Sequence, residues 1–315
     1  ERVLGFYYRW AAAADDRLRW LPGRVEPERF VDRGQALAWL DSERAGLVAA
    51  ALWAREERYA GTAVRLGLRL WTYLDWRRYF DDWITVSRAA QEAAHRAGNR
   101  HFEAMAQNNL GLALRQAGRV EEAIDAHIRA RDLFQAVGDR HGEAAAWNNL
   151  GSALAQAGRA KKAINAHTRA RDLHQAVGDR HREAGAWNNL GSALAQAGRV
   201  KKAINAHTRA RDLFQTVGDR HREAGAWNNL GVALAEAGRV EEAIEAYGKA
   251  LEVCREFEDW YGAGQTLHNL ARAHAHADRP ADARACLLQS ADAYTRANAP
   301  TEAARARTRA AELPE

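Results

Sequence analysis

From Glu143 to Ala157 the large apolar residues Trp147, Leu150 and Leu154 fall three and four apart among small and polar residues, and Gly158 then breaks the pattern. That spacing lays them along one stripe of a helix. A second stripe starts near Ala160 and carries Ala163, Ile164, His167, Ala170, Leu173 and Val177 before Gly178. Gly178 suits the position just past a helix end, and Asp179 suits the cap of the helix that follows. Two amphipathic helices on a short turn are expected to pack antiparallel.

This unit repeats with a period of forty. NNLG occurs at Asn108–Gly111, Asn148–Gly151, Asn188–Gly191 and Asn228–Gly231, and a worn copy, HNLA, starts at His268. AGR recurs at 117, 157, 197 and 237, and GDR at 138, 178 and 218. A helical period of this size implies a solenoid, in which each unit buries its apolar face only against its neighbours. Residues 141–180 and 181–220 differ at five positions (142, 145, 160, 174 and 176), which points to a recent duplication.

The register also runs backwards. Leu70, Leu74, Ile84, Ala90 and Gly98 sit forty residues before Leu110, Leu114, Ile124, Ala130 and Gly138, so residues 61–100 form a disguised repeat. Residues 34–57 read as a further amphipathic helix, preceded by the linker-like LPGRVEP. Seven of the eleven Trp lie in the first hundred residues, which predicts an aromatic-rich helical cap. The expected organisation is a cap and linker over 1–60 and an all-α solenoid over 61–300. Its repeats are 61–100, 101–140, 141–180, 181–220, 221–260 and 261–300, and a capping helix covers 301–315.

Composition fits this picture: 28% charged and 47% hydrophobic residues with 24 Gly and 5 Pro exclude disorder and collagen. No apolar run reaches the roughly 20 residues a membrane span needs, and charges interrupt residues 1–20 where a signal peptide is continuous. A cytoplasmic location is expected. The sequence begins at Glu1 without Met, so upstream sequence is expected too. Cys254 and Cys286 are too few for a disulfide framework and read as packing residues.

The run Trp147, Leu150, Gly151, Leu154, Ala163, His167 and Ala170 resembles the tetratricopeptide repeat, lengthened from thirty-four to forty residues by a longer second helix. Leu replaces the usual Tyr at 114, 154, 194 and 234. His replaces the usual aromatic at 127, 167 and 207, and Tyr247 restores it. The resemblance implies a right-handed superhelical solenoid that binds proteins or peptides in a concave groove. The forty-residue form is similar to the repeats of kinesin light chains and of the Pins/LGN adaptors. It is most like the C-terminal halves of actinobacterial STAND regulators, in which an NB-ARC ATPase precedes the repeats. ALAWLDSERAGLVAAALWA (36–54) and WRRYFDDWITVSRAA (76–90) resemble the segment that joins the two. The implied role is a sensor arm, with the NTPase upstream of Glu1, because GxxxxGK[ST] is absent here. A stand-alone scaffold or adaptor is the alternative, followed by a self-associating solenoid or homo-oligomer.

Candidate chemistry is sparse. No nucleophile, base and orienting group recur together, so neither enzyme activity nor a cofactor is expected. His127, His167 and His207 occupy positions that want a buried ring, which favours packing over a metal ladder. Trp147, Trp187 and Trp227 share the leucine stripe and are expected in the core. Residues 141–180 carry six basic and three acidic residues and 181–220 seven and three, against four and nine in 221–260. The positive charge is a band, and nucleic-acid binding, which wants a continuous basic stripe, is disfavoured.

The Asn pairs stand apart. On a helical wheel Asn148, Asn149, Ser152, Ala155 and Gln156 point away from Trp147, the side that lines the groove in tetratricopeptide stacks. The candidate peptide-binding residues are therefore Asn108, Asn109, Asn148, Asn149, Ser152, Gln156, Asn188, Asn189, Ser192, Gln196, Asn228, Asn229, Glu236, Asn269 and Arg272. Asn109, Asn149, Asn189, Asn229 and Asn269 form a ladder whose amides can pair with a peptide backbone. Selection falls to rungs that differ: Leu112, Ser152, Ser192, Val232 and Arg272, and Gln116, Gln156, Gln196, Glu236 and His276. Inter-repeat hydrogen bonding is the competing use of the same amides.

Overall fold

The computed structural model describes residues 2–20, 25–53 and 57–313. Among them every regular element is helical, and the chain divides into two units, 1–159 and 160–315. The first unit holds α1 (Arg2–Arg19), α2 (Arg33–Trp53), α3 (Ala60–Trp76), α4 (Phe80–Arg96), α5 (Arg100–Gln116), α6 (Val120–Ala136) and α7 (Arg140–Gln156). The second holds α8 (Ala160–Ala176), α9 (Arg180–Gln196), α10 (Val200–Thr216), α11 (Arg220–Glu236), α12 (Val240–Glu256), α13 (Trp260–His276), α14 (Pro280–Arg296) and α15 (Pro300–Ala311). No described helix is long and apolar enough to cross a membrane.

The metre is finer than the sequence repeat. Helices α5, α6, α9 and α10 are all 17 residues long, so the two helices of a pair are equal. The expectation of a longer second helix is thus corrected: the length added beyond thirty-four residues is not confined to it. The expected helix over 34–57 is described as far as Trp53, and Glu57–Tyr59 form a short 3-10 turn. Leu21–Arg24, the first part of the expected linker, lie outside the described residues.

Each helix stops for a local reason. Glycines 98, 118, 138, 158, 178, 198, 218 and 238 take φ between 63° and 77°, the left-handed conformation that ends a helix at little cost without a Cβ. In the same register Arg78, Glu258, Asp278 and Asn298 hold φ of 52° to 58° with a side chain present. Starts alternate in quality. The first helices are capped: Asn99, Asp139, Asp179, Asp219 and Asp259 each accept a backbone N–H three residues on. The second helices begin at Arg119, Arg199, Arg239 and Arg279 with no side-chain cap. Glu121, Glu122, Glu241 and Glu242 favour two of those starts through the helix dipole.

Small residues set the helix crossings. In the first unit Ala104, Ala130 and Ala146 pack with Phe134, and in the second Ala184, Ala210 and Ala226 pack with Phe214. In the first hundred residues the buried side chains are larger, Trp83, Tyr73, Leu66 and Leu70 among them. There Trp10 stacks on Trp39 at 5.6 Å, and buried Asp15 is held by Arg19 and Arg69.

Candidate functional site

The NNLG motif lies near the centre of α5, α7, α9 and α11, and its Gly permits a close approach to the second helix. A Cβ on Gly111 would stand 2.5 Å from the His127 ring, one on Gly191 2.6 Å from His207, and one on Gly231 2.6 Å from Tyr247. In two of these pairs the ring of the second helix thereby reaches the first Asn of the motif. His127 Nδ1 lies 3.0 Å from Asn108 Oδ1, and His207 Nδ1 lies 3.0 Å from Asn188 Oδ1. A carbonyl oxygen accepts, so Nδ1 carries the proton in both.

The same oxygen takes a second donor from the next repeat. Asn149 Nδ2 donates to Asn108 Oδ1 at 3.2 Å, Asn229 Nδ2 to Asn188 Oδ1 at 3.1 Å, and Asn269 Nδ2 to Asn228 Oδ1 at 3.1 Å. Asn108 and Asn188 thus each join their own second helix to the following repeat. Burial pushes the histidines well down, His127 to about 3 and His167 and His207 to about 4, with Arg115 adding to the effect on His127. His127 Nε2 is buried without a partner, so a proton there has no acceptor.

These contacts divide the candidate residues. Asn148, Asn149, Asn188, Asn189, Asn228, Asn229 and Asn269 are half-buried, while Gln156, Gln196, Glu236 and Arg272 are exposed. Ser152 and Ser192 donate to the backbone carbonyls of Asn148 and Asn188. Asn109 requires a correction. It is 5% exposed, accepts from Trp83 Nε1 at 3.2 Å and donates to Ser87 Oγ at 3.0 Å, so it is a core residue and not a rung. The competing use of the amides, between repeats, is thus present in the structure at Asn149, Asn229 and Asn269.

The tryptophans are also not where the wheel puts them. Trp147, Trp187 and Trp227 are half-buried. Arg131, Arg171 and Arg211 lie over their rings at 4.6, 4.5 and 4.4 Å. The indole N–H donates to Glu143, Glu183 and Glu223 at 3.3, 3.3 and 3.2 Å. The recurrence of an Arg sixteen residues before each Trp was the available signal. No group of three or more His, Cys, Asp and Glu able to hold a metal occurs among the described residues.

Several solved structures share the fold at low identity. BtubC from P. vanneervenii is 20% identical with a TM-score of 0.61, over 71% of this chain and 92% of that one. A Rap protein complexed with competence and sporulation factor is 13% identical with a TM-score of 0.59, over 99% and 96%. A STAND protein with a tetratricopeptide repeat sensor from Pyrococcus horikoshii is 12% identical with a TM-score of 0.59, over 88% of this chain and 46% of its own. No curated protein sequence gives a significant match. The tetratricopeptide repeat profile matches residues 102–176, 142–216 and 222–296, more than half of the chain. With its helix pairs, its register of small residues and its Gly beneath a ring, the chain belongs to the tetratricopeptide repeat family.

Proposed function

We propose that the chain binds a protein or extended peptide along the Asn-bearing face of its first helices, and that it does so as the cytoplasmic ligand-sensing arm of a STAND-type signalling regulator. The observation that carries the binding reading is the state of Asn149 and Asn229. One N–H of each amide is committed to the Asn of the preceding repeat, which fixes the side chain's direction. The other N–H and the carbonyl are uncommitted in a half-buried position. An oriented donor and acceptor together match a peptide backbone and lose little side-chain freedom on binding. The exposed variable positions Gln156, Ser192, Gln196, Glu236 and Arg272 are then the ones that select sequence.

The sensor reading is supported by the resemblance of residues 36–54 and 76–90 to the segment that joins ATPase to repeats, and by the shared fold of the Pyrococcus horikoshii STAND protein. The NTPase is a partner in the same polypeptide, and the chain itself performs no catalytic step. The test takes a peptide selected by display on the full chain and measures its affinity and the thermal stability in Asn→Ala variants. Single replacements at Asn149 or Asn229 weaken binding about two- to tenfold, the worth of one neutral hydrogen bond. Replacing Asn149, Asn189 and Asn229 together nearly abolishes it. Loss of stability with normal binding by the protein that remains folded would make the ladder purely structural.

A further inference from the structure

Two second helices reverse the charge of their neighbours. Helices α6 and α12 open on Glu121-Glu122 and Glu241-Glu242, whereas α8 and α10 open on Lys161-Lys162 and Lys201-Lys202 at the same places of the repeat. In α6 and α12 all four carboxylates are engaged. Glu122 and Glu242 accept from the Arg just before their own helix, Arg119 and Arg239, at 2.6 Å. Glu121 and Glu241 accept from Arg159 and Arg279 of the following repeat at 2.8 and 2.6 Å. Arg199 stands in the same register and has lost both partners, because Lys161 takes the place of the carboxylate before it and Lys202 that of its own helix. Arg199 and the four lysines are exposed, and among the described residues none of the five is in an ion pair. The lysines also sit at the positive end of the helix dipole, which disfavours them, so the fold gains nothing from the exchange.

We infer that the starts of α8 and α10, in the second unit, form a docking surface for an acidic segment of a partner protein, on second helices rather than on the Asn-bearing first ones. The flanking repeats identify the chemistry of the occupant, since there the same guanidinium takes a carboxylate from its own helix or from the repeat before. A partner's Asp or Glu supplies to Arg199 what Glu121 supplies to Arg159. The lysines, each with three donors on a flexible stem, take the carboxylates beside it. A protein segment fits better than a nucleic acid. The same face turns acidic one repeat later at Glu241 and Glu242, which limits the basic surface to two helix starts, and the first turns of α8 and α10 carry no aromatic residue on which a base could stack.

The probe is a fluorescein-labelled oligoglutamate peptide, followed by anisotropy on the full chain. Saturable binding that weakens with added salt is expected. Lys161→Glu combined with Lys202→Glu gives Arg199 two carboxylates of its own, and is expected to bind about tenfold more weakly while melting no lower than the unaltered chain. Arg305→Glu with Arg307→Glu makes the same change of net charge on α15 and is expected to weaken binding less than about threefold. No saturable binding by the unaltered chain, or an equal loss in the two double variants, overturns the inference. Tighter binding of single-stranded oligo-dT than of the peptide at the same salt overturns the choice of a protein partner. A lower melting temperature for the Lys161→Glu, Lys202→Glu chain overturns it as well, because the lysines would then serve the fold.

Discussion

Asn109 and Asn229 occupy the same position of the same motif and have opposite fates. Asn229 finds Asn188 forty-one residues earlier and joins a line of half-buried amides. Asn109 finds Leu68 at that place, and the helix that precedes it carries Ser87 where later repeats carry His and Trp83 where they carry Ala. Its amide therefore turns into the core, accepting from the indole and donating to the hydroxyl. The difference lies wholly in the preceding repeat. A motif in a solenoid is half of a joint, and its chemistry is decided by the half that comes before.

The contrast can be broken most severely at Asn109. Asn109→Ala strands the buried Trp83 N–H and the Ser87 hydroxyl, and at about 1–3 kcal/mol for each it is expected to cost about 2–6 kcal/mol, read from denaturant unfolding. Asn229→Ala leaves Asn188 still paired to His207 and is expected to cost only about 1 kcal/mol. Equal losses would mean that the two amides are equally structural.

Acid sharpens the same contrast. The folded-state values of His127, His167 and His207 lie below the ordinary one, so the unfolded chain binds more protons and stability rises with pH. The contribution is complete above about pH 6.5 and is lost as pH falls towards 4, at about 1.4 kcal/mol per unit of depression. At Ser87, in the same register, nothing titrates. His207→Phe is expected to shrink the acid-induced loss by up to about 3 kcal/mol. An unchanged pH profile would show that His207 is not held neutral by burial.

A worn turn and a helix interior give smaller effects of opposite sign. Asp278 holds φ of 58° where the interior repeats use Gly, so Asp278→Gly is expected to stabilise by about 1 kcal/mol. Gly185 is helical, and an added Cβ there meets open space, so Gly185→Ala is expected to gain about 0.5–1 kcal/mol. Thermal melts of the two variants check both, and a loss at Asp278→Gly would show that its side chain does more than fill a turn.

Much of the fold is legible in the sequence because its causes are local. Gly at most of the turns, Asp or Asn at the first-helix caps and Ala at the crossings each act within one or two helices. The fate of an amide is not local. Asn149 and Asn109 are identical on a helical wheel, and only residues forty positions away separate them. The tryptophans escape for a different reason: a wheel gives direction but not reach. Their rings extend past the leucines to the surface, where Arg and Glu take up the face and the N–H.

Those three indoles also make the molecule its own spectroscope. Trp147, Trp187 and Trp227 share one environment to within 0.2 Å in the guanidinium distance, with the same carboxylate at the N–H. Replacing one of them at a time and subtracting from the unaltered chain isolates the emission of a single repeat, because the other ten tryptophans are common to both. Comparing where each signal changes along a denaturant gradient reads out, in light, whether neighbouring repeats let go together or one by one.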